Sequence, residues 1–239
     1  MPMVCLVVEG TPSVRESLCY VLLSLGFQGL PAANRQEALD ILKRQPDISV
    51  AIVDLDSKEV QGEALLRDLR ESGKPSGLKV IVQSVQSSRE LVVKMMEYGV
   101  AGYLLKPYQD KEIYDKLRKV LERCQIPNDR RRHIRVKPDP DELLRLHFKL
   151  PGNPSLISGK IIDISVGGVA IELLNPPEAG ALRPGVQIPG IQFTLNHKQF
   201  APPGKVVLFR EKLLALHFDF LTVAEKTALA RYVFKRIAV

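Results

Sequence analysis

Ser49-Val50-Ala51-Ile52-Val53-Asp54 is a run of mostly apolar residues stopped by an acid. A continuous apolar run of this length, as opposed to an alternating one, marks a strand covered on both faces. Residues 4–8 read the same way, bounded by Gly10 and Pro12, and so do residues 78–82 and Gly102–Leu105. A shorter strand falls near residues 28–31. Between these runs the apolar residues recur at helical spacing: over 14–25, which stops at Gly26; over 34–44, with Asn34 placed as an N-cap; over Gly62–Glu71; and over 88–98. Asp110–Arg123 supplies a last helix. Strand and helix alternate five times, which predicts an α/β doubly wound domain with a five-stranded parallel sheet and helices on both faces.

In such a sheet, ligand chemistry gathers at the carboxyl ends of the strands. Those ends carry Glu9 and Gly10 after the first strand, Asp54 after the third, Ser84 after the fourth and Lys106 after the fifth. An acid, a central aspartate, a hydroxyl and a lysine on one rim suit a phosphoryl group. A carboxylate can accept it, a hydroxyl and an ammonium can hold its oxygens, and a cation can bridge the rest.

On these residues, and on Gly62 and the run Gly99-Val100-Ala101-Gly102-Tyr103-Leu104-Leu105-Lys106-Pro107-Tyr108, residues 3–124 resemble a response-regulator receiver domain. The resemblance puts Asp54 at the phosphoacceptor position, Ser84 at the switch hydroxyl and Tyr103 at the switch aromatic. It puts Lys106 at the pocket lysine, and it implies a cis Lys106–Pro107 bond. Receivers carry two adjacent acids after the first strand, the second of which ligates magnesium. Here that second position is Gly10, so the implied Mg2+ site shrinks to Glu9 and Asp54 and is weak or absent. Asp56, two residues beyond Asp54, is the candidate to return a carboxylate. Two readings stay open: a working phosphoacceptor, or an Asp54–Lys106 ion pair atop an inert pseudo-receiver that serves as a docking or dimerising module, a homodimer included.

The chain has 239 residues, enough for two domains with cores of their own. At 45% hydrophobic it is far too apolar for a disordered chain. No apolar run approaches the ~20 residues of a membrane-spanning helix, and the first ten residues lack the basic start of a secretory signal. Cys5, Cys19 and Cys124 form no CxxC pair, which argues against a disulfide framework and points to the reducing cytoplasm. His133, His147, His197 and His217 show no metal-binding spacing. Charge is unevenly spread. Residues 1–124 hold 17 Lys+Arg against 17 Asp+Glu, so the whole +7 of the chain lies in residues 125–239. A basic second half invites an anionic partner.

That half reads as a short polar linker, 125–130, and then a domain over 131–239. Short strands with period-2 alternation are expected over 142–149, 157–164, 169–174, 185–195, 200–209 and 213–220. They predict an all-β, six-stranded antiparallel barrel. A C-terminal helix follows over Val223–Ile237, opened by a Thr222/Glu225 capping box and carrying an apolar stripe of Leu229, Val233 and Ile237. Its other faces are basic, with Lys226, Arg231, Lys235 and Arg236. Arg130-Arg131-Arg132-His133-Ile134-Arg135 opens the domain, and Asp163-Ile164-Ser165-Val166-Gly167-Gly168 follows about 30 residues later.

Alone, the arginine run reads equally as a solvated basic linker, and the second stretch as a simple turn. In this order and spacing, residues 130–239 resemble a PilZ domain, the receptor module for cyclic di-GMP. Arg131 and Arg135 fit its RxxxR motif, with Arg132 completing the RRxxR form. Asp163, Ser165 and Gly168 fit DxSxxG, with Gly167 beside them. The chemistry agrees. Arginine's planar fork binds phosphate bidentately, stacks on purines and grips the guanine O6/N7 edge. Asp163 can accept from guanine N–H donors, and Gly168 permits a sharp turn or close approach of the ligand.

The implied protein is a bacterial signalling protein and not an enzyme. It binds cyclic di-GMP and relays this by rearrangement of its two domains to a protein partner, with a degenerate or weakly active receiver. The runner-up is a phosphorylation-controlled response regulator whose basic C-terminal domain binds nucleic acid. No helix-turn-helix signature and no RNP-like aromatic pattern supports the runner-up.

Overall fold

The computed structural model describes residues 3–71, 77–108, 110–126, 133–152, 155–177 and 180–237. Its chain divides into two compact units, Met1–His133 and Ile134–Val239.

In the first unit the elements run β1 (Met3–Val8), α1 (Pro12–Ser24), β2 (Phe27–Ala32), α2 (Arg35–Arg44), β3 (Val50–Asp54), α3 (Gly62–Glu71), β4 (Lys79–Ser84), α4 (Arg89–Glu97), β5 (Gly102–Leu105) and α5 (Asp110–Arg123). The strands form one parallel sheet in the order β2-β1-β3-β4-β5. Strand β3 is buried along its whole length, and β1 and β4 along all but their first residue. This is the physical meaning of the continuous apolar runs: helices cover both faces. Local chemistry starts the helices. Asn34 Oδ1 accepts the Glu37 amide at 2.9 Å, while Glu37 reaches back to the Ala33 amide at 2.7 Å. Ser88 caps α4 by accepting the Leu91 amide. Helix α5 ends where Gln125 enters the left-handed region (φ 52°) and the Ile126 amide returns to the Leu121 carbonyl.

The second unit is a curled antiparallel sheet followed by a helix. Its strands are β6 (Arg145–Lys149), β7 (Leu156–Ser165), β8 (Gly168–Leu173), β9 (Gln187–Ile188), β10 (Gln192–Leu195), β11 (Lys198–Phe200), β12 (Gly204–Arg210) and β13 (Leu213–Phe218); the helix is α6 (Val223–Ile237). The sheet order is β11-β10-β6-β7-β8-β13-β12-β9. Among the described residues the expected count of six strands is therefore corrected to eight. Two expected strands are each broken in two by proline: Pro189-Gly190 separates β9 from β10, and Pro202-Pro203 separates β11 from β12. Proline offers no ladder N–H, so a continuous strand cannot pass through.

The inward faces carry Leu146, Phe148, Phe193, Phe200, Leu214, Leu216 and Phe218. Phe193 stacks on Phe200 at 4.8 Å between centroids. Helix α6 opens with the expected reciprocal cap: Thr222 N–H donates to Glu225 at 2.8 Å, and the Glu225 N–H donates to Thr222 Oγ1 at 3.2 Å. It buries Leu229, Ala230, Tyr232 and Val233. Its basic face is not wholly solvated. Arg236 lies over the Tyr232 ring at 3.5 Å and donates to Asp139 and Glu142 at 2.6 Å each.

Candidate functional site

The carboxyl rim of the parallel sheet brings Glu9, Asp54, Ser84 and Lys106 together. Glu9 and Asp54 are 1% and 2% exposed, so their charges need an internal counterion. Lys106 supplies it, donating to Asp54 Oδ1 at 2.7 Å and to Glu9 Oε2 at 3.0 Å. Burial pushes the Lys106 ammonium down, but hydrogen bonds and charges from Asp54 and Glu9 outweigh it, and its pKa is raised. The Lys106–Pro107 bond is cis.

Two further residues complete this network. Gln83, fully buried directly after the apolar run Val80-Ile81-Val82 of β4, donates to Glu9 Oε2 at 2.8 Å. Tyr108 donates its hydroxyl to Gln83 Oε1. Burial, with the charges of Glu9, Asp54 and Asp56 adding to it, drives the Tyr108 pKa strongly upward. A buried amide inside an apolar strand is the sequence signal that could have revealed Gln83.

Asp56 does bring a carboxylate to the rim, on the side of Ser84. Ser84 Oγ donates to Asp56 Oδ1 at 2.6 Å, and the Val85 amide donates to Asp56 Oδ2 at 2.9 Å. Lys106 Nζ lies 3.8 Å from the same Oδ2. Tyr103 donates its hydroxyl to the Gln86 carbonyl at 2.5 Å, and the Gln86 amide donates to Ser84 Oγ at 3.0 Å.

In the second unit, the Arg135 guanidinium donates to Asp163 Oδ1 at 2.7 Å, so the two sequence stretches meet. Val136 pairs with Ile164 as an isolated antiparallel bridge, which sets Arg135 beside the end of β7. Asp163 stands just past a register shift between Ile161 and Asp163, a bulge that re-aims the strand. Both side chains stay open to solvent, at 48% for Arg135 and 31% for Asp163. Arg131 and Arg132 lie outside the described residues.

Ser165 is buried, and its hydroxyl is used within the turn: it donates to the Gly168 carbonyl at 3.2 Å and accepts the Gly167 amide at 3.3 Å. Gly168 is required by close strand packing, since a Cβ there would meet the Leu216 carbonyl at 2.3 Å. Across the sheet, Gly168 is in register with His217, and His217 with Lys205. Both flank Asp219, at 3.5 and 3.4 Å. Sequence reading missed His217 and Lys205 because only long-range register places them beside the DxSxxG turn.

Residues 5–118 match the response regulator receiver domain, and residues 129–235 match the PilZ domain. The chain carries a response regulator receiver domain followed by a PilZ domain. The receiver half is similar to a chemotaxis protein CheY homolog of Campylobacter jejuni, at 28% identity over 117 residues, covering 48% of this chain and 90% of that protein. It is similar to chemotaxis protein CheY-3 of Vibrio cholerae, at 29% over 123 residues, covering 49% and 91%. Among solved structures, a response regulator from Thermotoga maritima matches over 51% of this chain and 99% of its own, with 25% identity and a TM-score of 0.44. Receiver and PilZ domains are typically non-catalytic signalling domains. Among the described residues no helix is long and apolar enough to cross a membrane.

Receivers often bind Mg2+, and the residues present in this receiver do not fit it. Gly10 offers no carboxylate; a Cβ there would meet Ser57 Oγ at 2.3 Å and Glu59 Oε2 at 3.4 Å, and Ser57 donates its hydroxyl to that Glu59 carboxylate. Glu9 is spent on the Thr11 amide, on Gln83 and on Lys106, whose ammonium is shared as counterion by the two buried acids. Among the described residues no cluster of three or more His, Cys, Asp or Glu side chains is arranged to hold a metal ion. The PilZ half fits its implied ligand better: an exposed arginine fork beside a half-buried, solvent-accessible carboxylate complements a phosphate and a guanine edge.

Proposed function

We propose that this protein is a cytoplasmic signalling receptor, not an enzyme, that binds cyclic di-GMP through Arg131, Arg132, Arg135, Asp163, Ser165, Gly167 and Gly168. The observation that carries this reading is the Arg135–Asp163 pair: a cation for phosphate and an acceptor for guanine N–H, held side by side and open to solvent. Cyclic di-GMP supplies two phosphates and two guanines. Arg135 exchanges its bond to Asp163 for phosphate oxygens or a guanine face, and Asp163 turns to the N1–H and N2–H edge. Ser165 contributes by holding the turn, and Gly167 presents its backbone at the same corner. Arg131 and Arg132 close from the arginine segment.

Binding orders that segment against the barrel and so changes the relation of the two domains, which a protein partner reads. The receiver contributes as a degenerate or weakly active domain, since Lys106 takes the place of a cation and Gly10 lacks the second acid. The test is thermal denaturation of the full chain with cyclic di-GMP, cyclic di-AMP and GMP. A stabilisation that rises with the logarithm of cyclic di-GMP concentration and is absent with cyclic di-AMP supports the reading. Equal stabilisation by all three contradicts it and favours a nonselective anion surface.

A further inference from the structure

In the receiver half, three donors converge on one point beside Asp54: the Ser84 hydroxyl, the Val85 amide and the Lys106 ammonium. All three face the two oxygens of Asp56, at 2.6, 2.9 and 3.8 Å. The Ser84 hydroxyl is fixed in this role, because its oxygen already accepts the Gln86 amide at 3.0 Å and its proton goes to Asp56. A hydroxyl, a backbone amide and an ammonium grouped around one site form an oxyanion cradle. A carboxylate brings two oxygens to it, and a tetrahedral oxyanion brings three or four.

We propose that Asp56 is a resident anion, occupying from within an oxyanion-binding cradle made by Ser84, Val85 and Lys106. A tetrahedral oxyanion and the Asp56 carboxylate compete for the same donors and repel each other, so the cradle is masked in the native chain. The mask also has a structural output. Asp56 holds Ser84, Ser84 holds the Gln86 amide, and the Gln86 carbonyl holds the Tyr103 hydroxyl at 2.5 Å. Tyr103 is thereby pinned without any added anion. The two oxygens of Asp56 are thus taken up by donors of the rim itself. This inference stands on the receiver half alone and is independent of nucleotide binding by the PilZ half.

The test uses the full chain and amide NMR, with inorganic phosphate as the probe. Asp56→Ala removes the acceptor of the Val85 amide, so hydrogen exchange at Val85 should quicken at least ~10-fold, with Gln86 following. Phosphate is then titrated in an Asp54→Asn background, which removes the repulsion of the neighbouring carboxylate. Asp54→Asn/Asp56→Ala should show a saturable shift of the Val85 amide, at least ~10-fold tighter than Asp54→Asn alone. Asp56→Asn keeps the shape with only one accepting oxygen, and serves if the alanine variant folds poorly; it should give intermediate exchange and binding. Unchanged exchange at Val85 would overturn the proposal, as would equal phosphate response, or none, with and without Asp56. Cyclic di-GMP added to the same samples reports the PilZ half separately, so failure there is distinguishable from failure here.

Discussion

Arg135 and Asp163 lie 28 residues apart in the sequence and 2.7 Å apart in the fold. Each is the other's partner in the absence of ligand, so the first consequence of binding is the exchange of this ion pair for contacts to nucleotide. Asp163→Ala should weaken cyclic di-GMP binding by about 10–100-fold, the worth of one or two hydrogen bonds to a charged group. It should leave thermal stability nearly unchanged, because a solvent-open pair contributes only ~0–1 kcal/mol. Titration calorimetry and a melting curve on the same variant separate the two effects.

Gly168 and Ser165 act on the fold before they act on ligand. Gly168→Ala drives a Cβ to 2.3 Å from the Leu216 carbonyl, which must part β8 from β13. A loss of about 1–3 kcal/mol in urea unfolding is expected. Ser165→Ala removes both turn bonds of a buried hydroxyl and should cost about 1–3 kcal/mol. Stability equal to wild type in both would show that the turn is not held in this way.

Lys106 is the shared counterion of two buried acids. Lys106→Met strands Glu9 and Asp54 and should destabilise the receiver by about 3–5 kcal/mol at neutral pH. Urea unfolding of the variant beside the wild type at neutral pH measures the loss, and equal stability would contradict it.

Glu142 ties the start of the second unit to its last helix. Burial pushes its carboxyl up, but hydrogen bonds from Tyr232 and the Asp139 amide, together with the charge and hydrogen bond of Arg236, win, and its pKa lies below the ordinary value. The unfolded chain therefore binds this proton more readily. The stabilisation is present at neutral pH and is lost as pH falls from the unfolded value of ~4.3 through the lower folded one. Melting temperatures of wild type and Glu142→Gln, compared between neutral and acid pH, should converge in acid. A constant gap would contradict this.

Much of this was readable from residue order. The unbroken apolar runs of β1, β3 and β4, the Asn34 cap and the Thr222–Glu225 box are local, and each formed as its chemistry dictates. The rim of Glu9, Asp54, Ser84 and Lys106 was legible because strand ends in a parallel sheet share one edge. Prolines 189, 202 and 203 were equally visible, but their effect on strand count depends on which N–H groups the ladder needs. Arg236 looked like part of a solvated basic face and is instead turned onto Tyr232, Asp139 and Glu142. The destination of Asp56 was hidden because it depends on which way one side chain leaves the end of β3. His217 and Lys205 were hidden because register between β8, β13 and β12 is a property of the assembled sheet.

The central claim, that the second unit is a guanine-selective receptor, is tested most directly by isothermal titration of cyclic di-GMP into the full chain, beside Arg135→Ala. The account predicts saturable binding in the wild type and a loss of about 10-fold or more in the variant. No binding to the wild type, or an isotherm that Arg135→Ala leaves unchanged, would contradict it.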